Sequence, residues 1–299
     1  MSAVFENITV PTDGSTTAAV GVKFALELAA GGGRLNICSV VDPTLVCLPA
    51  NQGLAIDPGP MLVMLDDNAA LFCREAQAEA TARGITATVE VLHGQCIESI
   101  EDLIQRNGSD AVVLGSHGRS GFARAVLGSV AEGLLTRSDV PVVVVHESDV
   151  LRTGPIAVAV DESPAAEVAV DVAIEVASAR GMSLVLLHVT ARHSERAQNI
   201  ATLPALARAT ERARARNIPV SVVLREGKAV DELLEMADEL ECSMIVMGTH
   251  GRPLLTRLVL GSVAAGVLER AHVPVIAVRR RATSVRPSPA GLVHNSSRM

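Results

Sequence analysis

Aromatic side chains are almost missing from this chain of 299 residues, which has four Phe, no Tyr and no Trp. Proteins that bind single-stranded nucleic acid stack bases on aromatic rings, and that platform is absent. Positive charge is also short: 26 Lys and Arg stand against 33 Asp and Glu, a formal net charge of -7. A nucleic-acid partner is therefore not expected, because a phosphate backbone calls for a basic face. Mean hydropathy is +0.34, yet no apolar run reaches the ~18 residues of a membrane span. No basic stretch precedes an apolar core at the N-terminus, so no secretory leader is expected. The five cysteines (Cys38, Cys47, Cys73, Cys96 and Cys242) are odd in number and none forms a C-x-x-C pair. They read as reduced, mostly buried thiols of a cytoplasmic protein.

Several catalytic patterns are missing as well. There is no G-x-x-x-x-G-K-[ST] loop and no G-x-G-x-x-G after the first strand, which disfavours P-loop and Rossmann-type dinucleotide binding. Neither G-x-S-x-G nor H-E-x-x-H occurs, and no Cys/His set has zinc spacing.

What is present is a duplication. The stretch GSHGRSGFARAVLGSVAEGLL begins at Gly115 and GTHGRPLLTRLVLGSVAAGVL at Gly248, an offset of 133. Each is followed by Val-Pro-Val, at Val140 to Val142 and at Val273 to Val275. Near the start of each half lie Val10-Pro11-Thr12-Asp13-Gly14-Ser15 and Val158-Ala159-Val160-Asp161-Glu162-Ser163, offset by 148. The first half thus carries about 15 extra residues, expected in the loop after Val41 where Pro43, Pro49, Gly53, Pro58, Gly59 and Pro60 cluster. The repeat is domain-sized, giving two domains, 1–147 and 154–280, and a Ser/Pro/Arg-rich tail, 281–299, expected to be disordered.

Each half alternates strands with helices. In the first, strands are expected at 8–11, 35–41, 86–92, 111–114 and 142–145, and helices at 16–30, 61–83, 97–105 and from 128. The second half repeats the order, with strands at 156–160, 184–189, 220–224, 244–247 and 275–278 and helices at 165–179, 196–217, 230–240 and 261–270. Uninterrupted Val/Ile/Leu strands joined by helices predict a parallel sheet covered on both faces, an α/β doubly wound domain in each half. The methionines read as core, and Asp66-Asp67 as a solvated helix turn.

In such sheets ligands bind beyond the carboxyl ends of the strands. Asp13 and Asp161 follow the first strand of each half, Val41 and Val189 end the second, and the glycine segment follows the fourth. That segment has the spacing G-x-x-G-x9-G-S: Gly115, Gly118, Gly128 and Ser129, then Gly248, Gly251, Gly261 and Ser262. Glycine permits positive φ and a close approach with no Cβ in the way. The helix that opens at Gly128-Ser129-Val130, or at Gly261-Ser262-Val263, presents free N–H groups and a positive dipole end to an anion. Arg119 and Arg252 add a cation beside the loop, and a triphosphate fits such a set. A glycine between strand and helix is often only a turn, and duplication alone copies a pattern. Asp13 and Asp161 read equally as residues of the helix N-cap region or as ligand contacts. His117 and His250 read as loop-packing side chains rather than catalysts.

These residues resemble the universal stress protein family over both halves. The resemblance rests on the first-strand Asp, the G-x-x-G-x9-G-[ST] pattern and the final Val-Pro-Val strand. It implies five parallel strands in the order 3-2-1-4-5 per half, a Rossmann-like arrangement, and binding of ATP, with Mg2+ as a companion. It further implies that Asp13 and Val41 contact the adenosine and that Gly115, His117, Gly118, Arg119, Gly128, Ser129 and Val130 line the ribose and phosphates. The matching residues of the second half are Asp161, Val189, Gly248, His250, Gly251, Arg252, Gly261, Ser262 and Val263. Pro11-Thr12 and Ala159-Val160 would line the adenine pocket. The last strands would pair the two halves within one chain or join two chains as a homodimer. The implied role is a nucleotide-responsive stress module; the alternative is a slow ATPase or nucleotidyl-transfer enzyme of the adenine-nucleotide α-hydrolase class.

Overall fold

A computed structural model describes residues 3–45, 58–118, 127–149, 152–190, 203–250 and 260–279. The first half runs β1 (Asn7–Pro11), α1 (Thr16–Ala29), β2 (Arg34–Val41), a short 3-10 turn (Pro43–Leu45), α2 (Gly59–Ala82), β3 (Thr86–His93), α3 (Cys96–Asn107), β4 (Ala111–Gly115), α4 (Ser129–Arg137) and β5 (Val142–Val145). The second runs β6 (Ile156–Ala159), α5 (Pro164–Arg180), β7 (Leu184–Thr190), α6 (Pro204–Ala215), β8 (Val220–Glu226), α7 (Ala229–Glu239), β9 (Met244–Gly248), α8 (Ser262–Arg270) and β10 (Val275–Val278). Of the helix expected at 196–217, the part before 203 lies outside the described residues, as do Cys47, Pro49, Gly53 and the 281–299 tail.

The ten strands of the described residues form one sheet, in the order β3-β2-β1-β4-β5-β10-β9-β6-β7-β8. Each half therefore has the expected 3-2-1-4-5 order. Neighbouring strands run parallel within each half, and only the seam between β5 and β10 is antiparallel, with Val143 opposite Ile276. Both edges of both last strands are occupied, by each other and by β4 and β9. The pairing thus takes place within the chain, and neither last strand keeps an open edge for a second copy.

The seam shows why the strands read as unbroken apolar runs. Along β5, Val143 and Val145 face one core while Val142 and Val144 face the other. The first core collects side chains from α1, α2, α5 and α6 of both halves, and the second from α3, α4, α7 and α8. Period-two alternation with both faces buried leaves no polar side to the pattern. The exception is a polar ladder across the first half, where Thr88 Oγ1 donates to Asn36 Oδ1 at 3.0 Å and Asn36 Nδ2 reaches Asn7 Oδ1 at 2.5 Å. Buried polar groups are tolerated because they satisfy one another.

Strand register corrects one equivalence. Pro11 pairs with Cys38, whereas Ala159 pairs with Leu187. The Gly94 N–H donates to the Val41 carbonyl, and the Gly227 N–H to the Thr190 carbonyl. The counterpart of Val41 is thus Thr190 and not Val189, because the second half has one extra residue between its first two strands. The methionines also divide: Met236, Met244 and Met247 are core, but Met61 and Met64 of α2 are about half exposed, at 49% and 54%.

Candidate functional site

At the carboxyl end of β1 the chain turns on Asp13. Its Oδ1 accepts the Ser15 N–H at 3.0 Å, and Ser15 Oγ in turn accepts the Ala18 N–H at 3.1 Å, capping α1. The second half repeats both bonds, with Asp161 Oδ1 to Ser163 N at 2.9 Å and Ser163 Oγ to Ala166 N at 3.2 Å. Serine is the N-cap in each case. The aspartate stands two residues earlier and holds the turn, a local side-chain-to-backbone bond typical of Asx turns.

The glycine loop of the first half folds back onto this turn. A Cβ on Gly118 would lie 2.6 Å from Asp13 Oδ2, so the two residues, 105 positions apart, are in contact only because position 118 has no side chain. Gly128 N–H donates to the Ser116 carbonyl at 2.8 Å, which closes the loop at the start of α4. Gly261 N–H donates to the Thr249 carbonyl at 2.9 Å in the same way. Gly115 and Gly248 serve packing. A Cβ on Gly115 would lie 2.8 Å from the carbonyl carbon of Thr17, and one on Gly248 2.8 Å from Ala165 Cβ, so each glycine lets the first helix of its half, α1 or α5, sit close against the end of β4 or β9.

Of the two uses expected of these glycines, only close approach is realised. Positive φ occurs at Gly14, with φ 76°, and at other turns, but at none of Gly115, Gly118, Gly128, Gly248 and Gly261. Gly128 and Gly261 are extended, at φ -67° and -63°. They occupy the N-cap positions of α4 and α8, and no side chain caps either helix. The first N–H groups of both helices therefore lack the side-chain acceptor that α1 and α5 have, which suits them to an anion. Ser129 is exposed, Val130 is partly buried against the second core, and Ser262 and Val263 repeat this.

His117 Nδ1 lies 2.7 Å from Ser116 Oγ and His250 Nδ1 2.9 Å from Thr249 Oγ1, with both hydroxyl residues fully buried. These pairs fix the imidazoles to the loop. In each ring Nε2 is buried with no partner among the described residues. The first half adds His146, whose ring lies edge-on to His117 at 6.2 Å. Thr12 and Val160 are buried and Pro11 and Ala159 partly buried, at the ends of β1 and β6. Val41 is buried, while Val189 is partly buried on the second core. Cys96, at the start of α3, is close enough to Asp42 and Asp13 for their carboxylates to add to burial in pushing its thiol up to about 11. Arg119, Gly251 and Arg252 lie outside the described residues. Sequence reasoning missed Thr190, His146 and the capping roles of Ser15 and Ser163; the S-x-x pattern before each helix was the available signal for the caps.

A family model described as the Universal stress protein family matches residues 5–146 and again 153–279. The chain belongs to the universal stress protein family. Among its relatives is a universal stress protein of Mycobacterium tuberculosis (strain ATCC 25618 / H37Rv), 35% identical over an alignment of 188 positions that covers 58% of this chain and 63% of that protein. The match thus spans less than two thirds of that relative's length. A universal stress protein of Mycolicibacterium smegmatis is 29% identical over 299 residues, covering 94% of this chain and 99% of the relative. The crystal structure of a universal stress protein from Archaeoglobus fulgidus DSM 4304 superimposes with a TM-score of 0.74 at 26% identity, covering 92% of this chain and 98% of the other. The family thus accounts for both halves of the chain, and the tandem arrangement extends along the whole of that archaeal structure.

Proposed function

We propose that this universal stress protein is a cytoplasmic, ATP-binding regulatory protein with one nucleotide site in each half, in the units 1–147 and 154–280. The observation that carries the reading is the meeting of Asp13 with Gly118 beneath the uncapped start of α4. In the first site Asp13 holds the ribose, and Pro11, Thr12 and Val41 border the base. The backbone of Gly118 and the first amides of α4, with Ser129 Oγ, hold the phosphates, and Arg119 adds its charge. Asp161, Thr190 and the start of α8 take the corresponding roles in the second site. The donor set suits a nucleoside triphosphate: main-chain N–H groups and hydroxyls for phosphate oxygens, and a carboxylate for ribose hydroxyls. Mg2+ enters with the nucleotide, as a companion of the phosphates.

Calorimetric titration with ATP tests this. The expected result is two ATP bound per chain, one of them lost in Gly118→Glu and both lost when Gly251→Glu is added. No binding at millimolar ATP would overturn the reading. Turnover of ATP with Mg2+ well above a blank would favour the enzyme alternative instead.

A further inference from the structure

The two halves differ at a pair of positions that touch. Gly14, next to Asp13, has φ 76°. A Cβ there would collide with Cδ1 and Cε1 of Phe72 and lie 2.7 Å from its Cγ. The Phe72 ring of α2 thus lies against the backbone of the turn that carries Asp13. The register of the second half, in which Ile85 N–H bonds to the Ala80 carbonyl as Ile218 N–H does to that of Ala213, makes Ala205 of α6 the counterpart of Phe72. The counterpart of Gly14 is Glu162. Glycine beneath a ring in one half corresponds to Glu162 and Ala205 in the other.

Phe72 is not a core residue. The buried side of α2 is Ala69, Cys73, Ala76 and Ala80, whereas Phe72 is partly exposed and belongs to neither core. Phe5 and Phe24, by contrast, are buried in the core at 0% and 3%. Ala205 is buried at 4% exposure. In a chain this poor in aromatics, a partly exposed ring stands at the carboxyl end of the sheet, against a glycine that leaves it room beside Asp13.

We propose that Phe72 is the base-stacking wall of the first site, and that the second site has no such wall. The inference rests on the nucleotide reading above and adds a difference between its two sites. The first recognises an aromatic base through a π-face as well as a phosphate chain; the second, with Glu162 and Ala205, relies on phosphate, ribose and backbone contacts. Stacking is tolerant of base identity, so the first site accepts any purine nucleotide and prefers it to the bare phosphate chain.

Two variants of the full chain test this. In calorimetry, Phe72→Leu weakens ATP at one of the two sites by about five- to a hundredfold, the range given by the loss of one base–aromatic stack. Its affinity for inorganic tripolyphosphate stays at the wild-type value. Phe72→Trp places the only indole in the protein at the wall, and its fluorescence is quenched by ATP and not by tripolyphosphate. Unchanged ATP affinity in Phe72→Leu would overturn the proposal, as would tighter binding, which would make the ring a plug. An indole that responds alike to ATP and tripolyphosphate, or to neither, would also overturn it, even if the leucine variant had failed to fold. If the wild type binds neither probe, the nucleotide reading itself fails, a result distinct from all of these.

Discussion

Gly118 rests against Asp13 with no room between them, the prospective Cβ falling 2.6 Å from a carboxylate oxygen. The same carboxylate holds the Ser15 N–H with its other oxygen. Gly118→Ala therefore turns the Asp13 carboxylate, the free end of a flexible side chain, out of its present position. Loss of roughly tenfold or more in first-site ATP affinity is expected. The melting temperature should change little, because position 118 is exposed. Calorimetry with a parallel thermal melt checks both, and full affinity in this variant would remove Asp13 from the site.

The two serine caps give a symmetric prediction. Ser15→Ala and Ser163→Ala each remove one acceptor from a helix start, and each should destabilise the protein by ~0.5–2 kcal/mol. Urea unfolding should show a lower midpoint with an unchanged slope. Ser163 is the more buried of the two, at 2% exposure, so its loss should cost at least as much.

Asn36 sits at the centre of the polar ladder in the first half, between Thr88 and Asn7. Asn36→Leu leaves the buried Asn7 Oδ1 without this donor, at ~1–3 kcal/mol, whereas Thr88, exposed on the edge strand β3, can turn its hydroxyl to water. An unfolding free energy lower by ~1–3 kcal/mol is expected from denaturant titration. Thr88→Val should cost little by comparison, because Thr88 is exposed on the edge strand. The register-matched residue in the second half is Val185, whose surroundings are apolar.

Burial pushes the Cys73 and Cys242 thiols up to about 11 from an ordinary value of 9.0, and burial followed by nearby carboxylates does the same to Cys96. The folded state thus holds these protons more tightly than the unfolded chain. Their contribution to stability is complete below about pH 9 and is lost as pH rises toward 11. Thermal melts should accordingly fall over that window, and less steeply after Cys73→Ala and Cys242→Ala. At neutral pH iodoacetamide should modify the four described cysteines only slowly until denaturant is added. Rapid labelling of Cys73 in the native protein would contradict this.

Much of the fold was legible because it depends on local pattern. The runs Val142 to Val145 and Val275 to Val278 read as buried strands, and the structure buries both. The candidate site was legible in its first half, since Asp13 and Gly118 each follow a strand that must end at the same margin. The one-residue shift that replaces Val189 by Thr190 was not, because Leu-His-Val-Thr offers no internal mark of register; only pairing with β6 and β8 sets it. Nor was Phe72 legible. Its meaning lies in contact with a glycine 58 positions earlier, and an isolated Phe in a helix reads as core. The split among the methionines has a similar origin: periodicity places Met61 and Met64 on a helix and leaves open which side the sheet will cover.

The reversed direction of the central pair, β5 against β10, has a consequence for anything that associates with this protein. Asp13 and Gly118 stand along one margin of the sheet, and Asp161 and Gly248 along the opposite one. A single flat partner can inspect one margin or the other, never both at once. Two partners could instead engage back to back without competing, and any dialogue between them would have to pass through the valines of the junction.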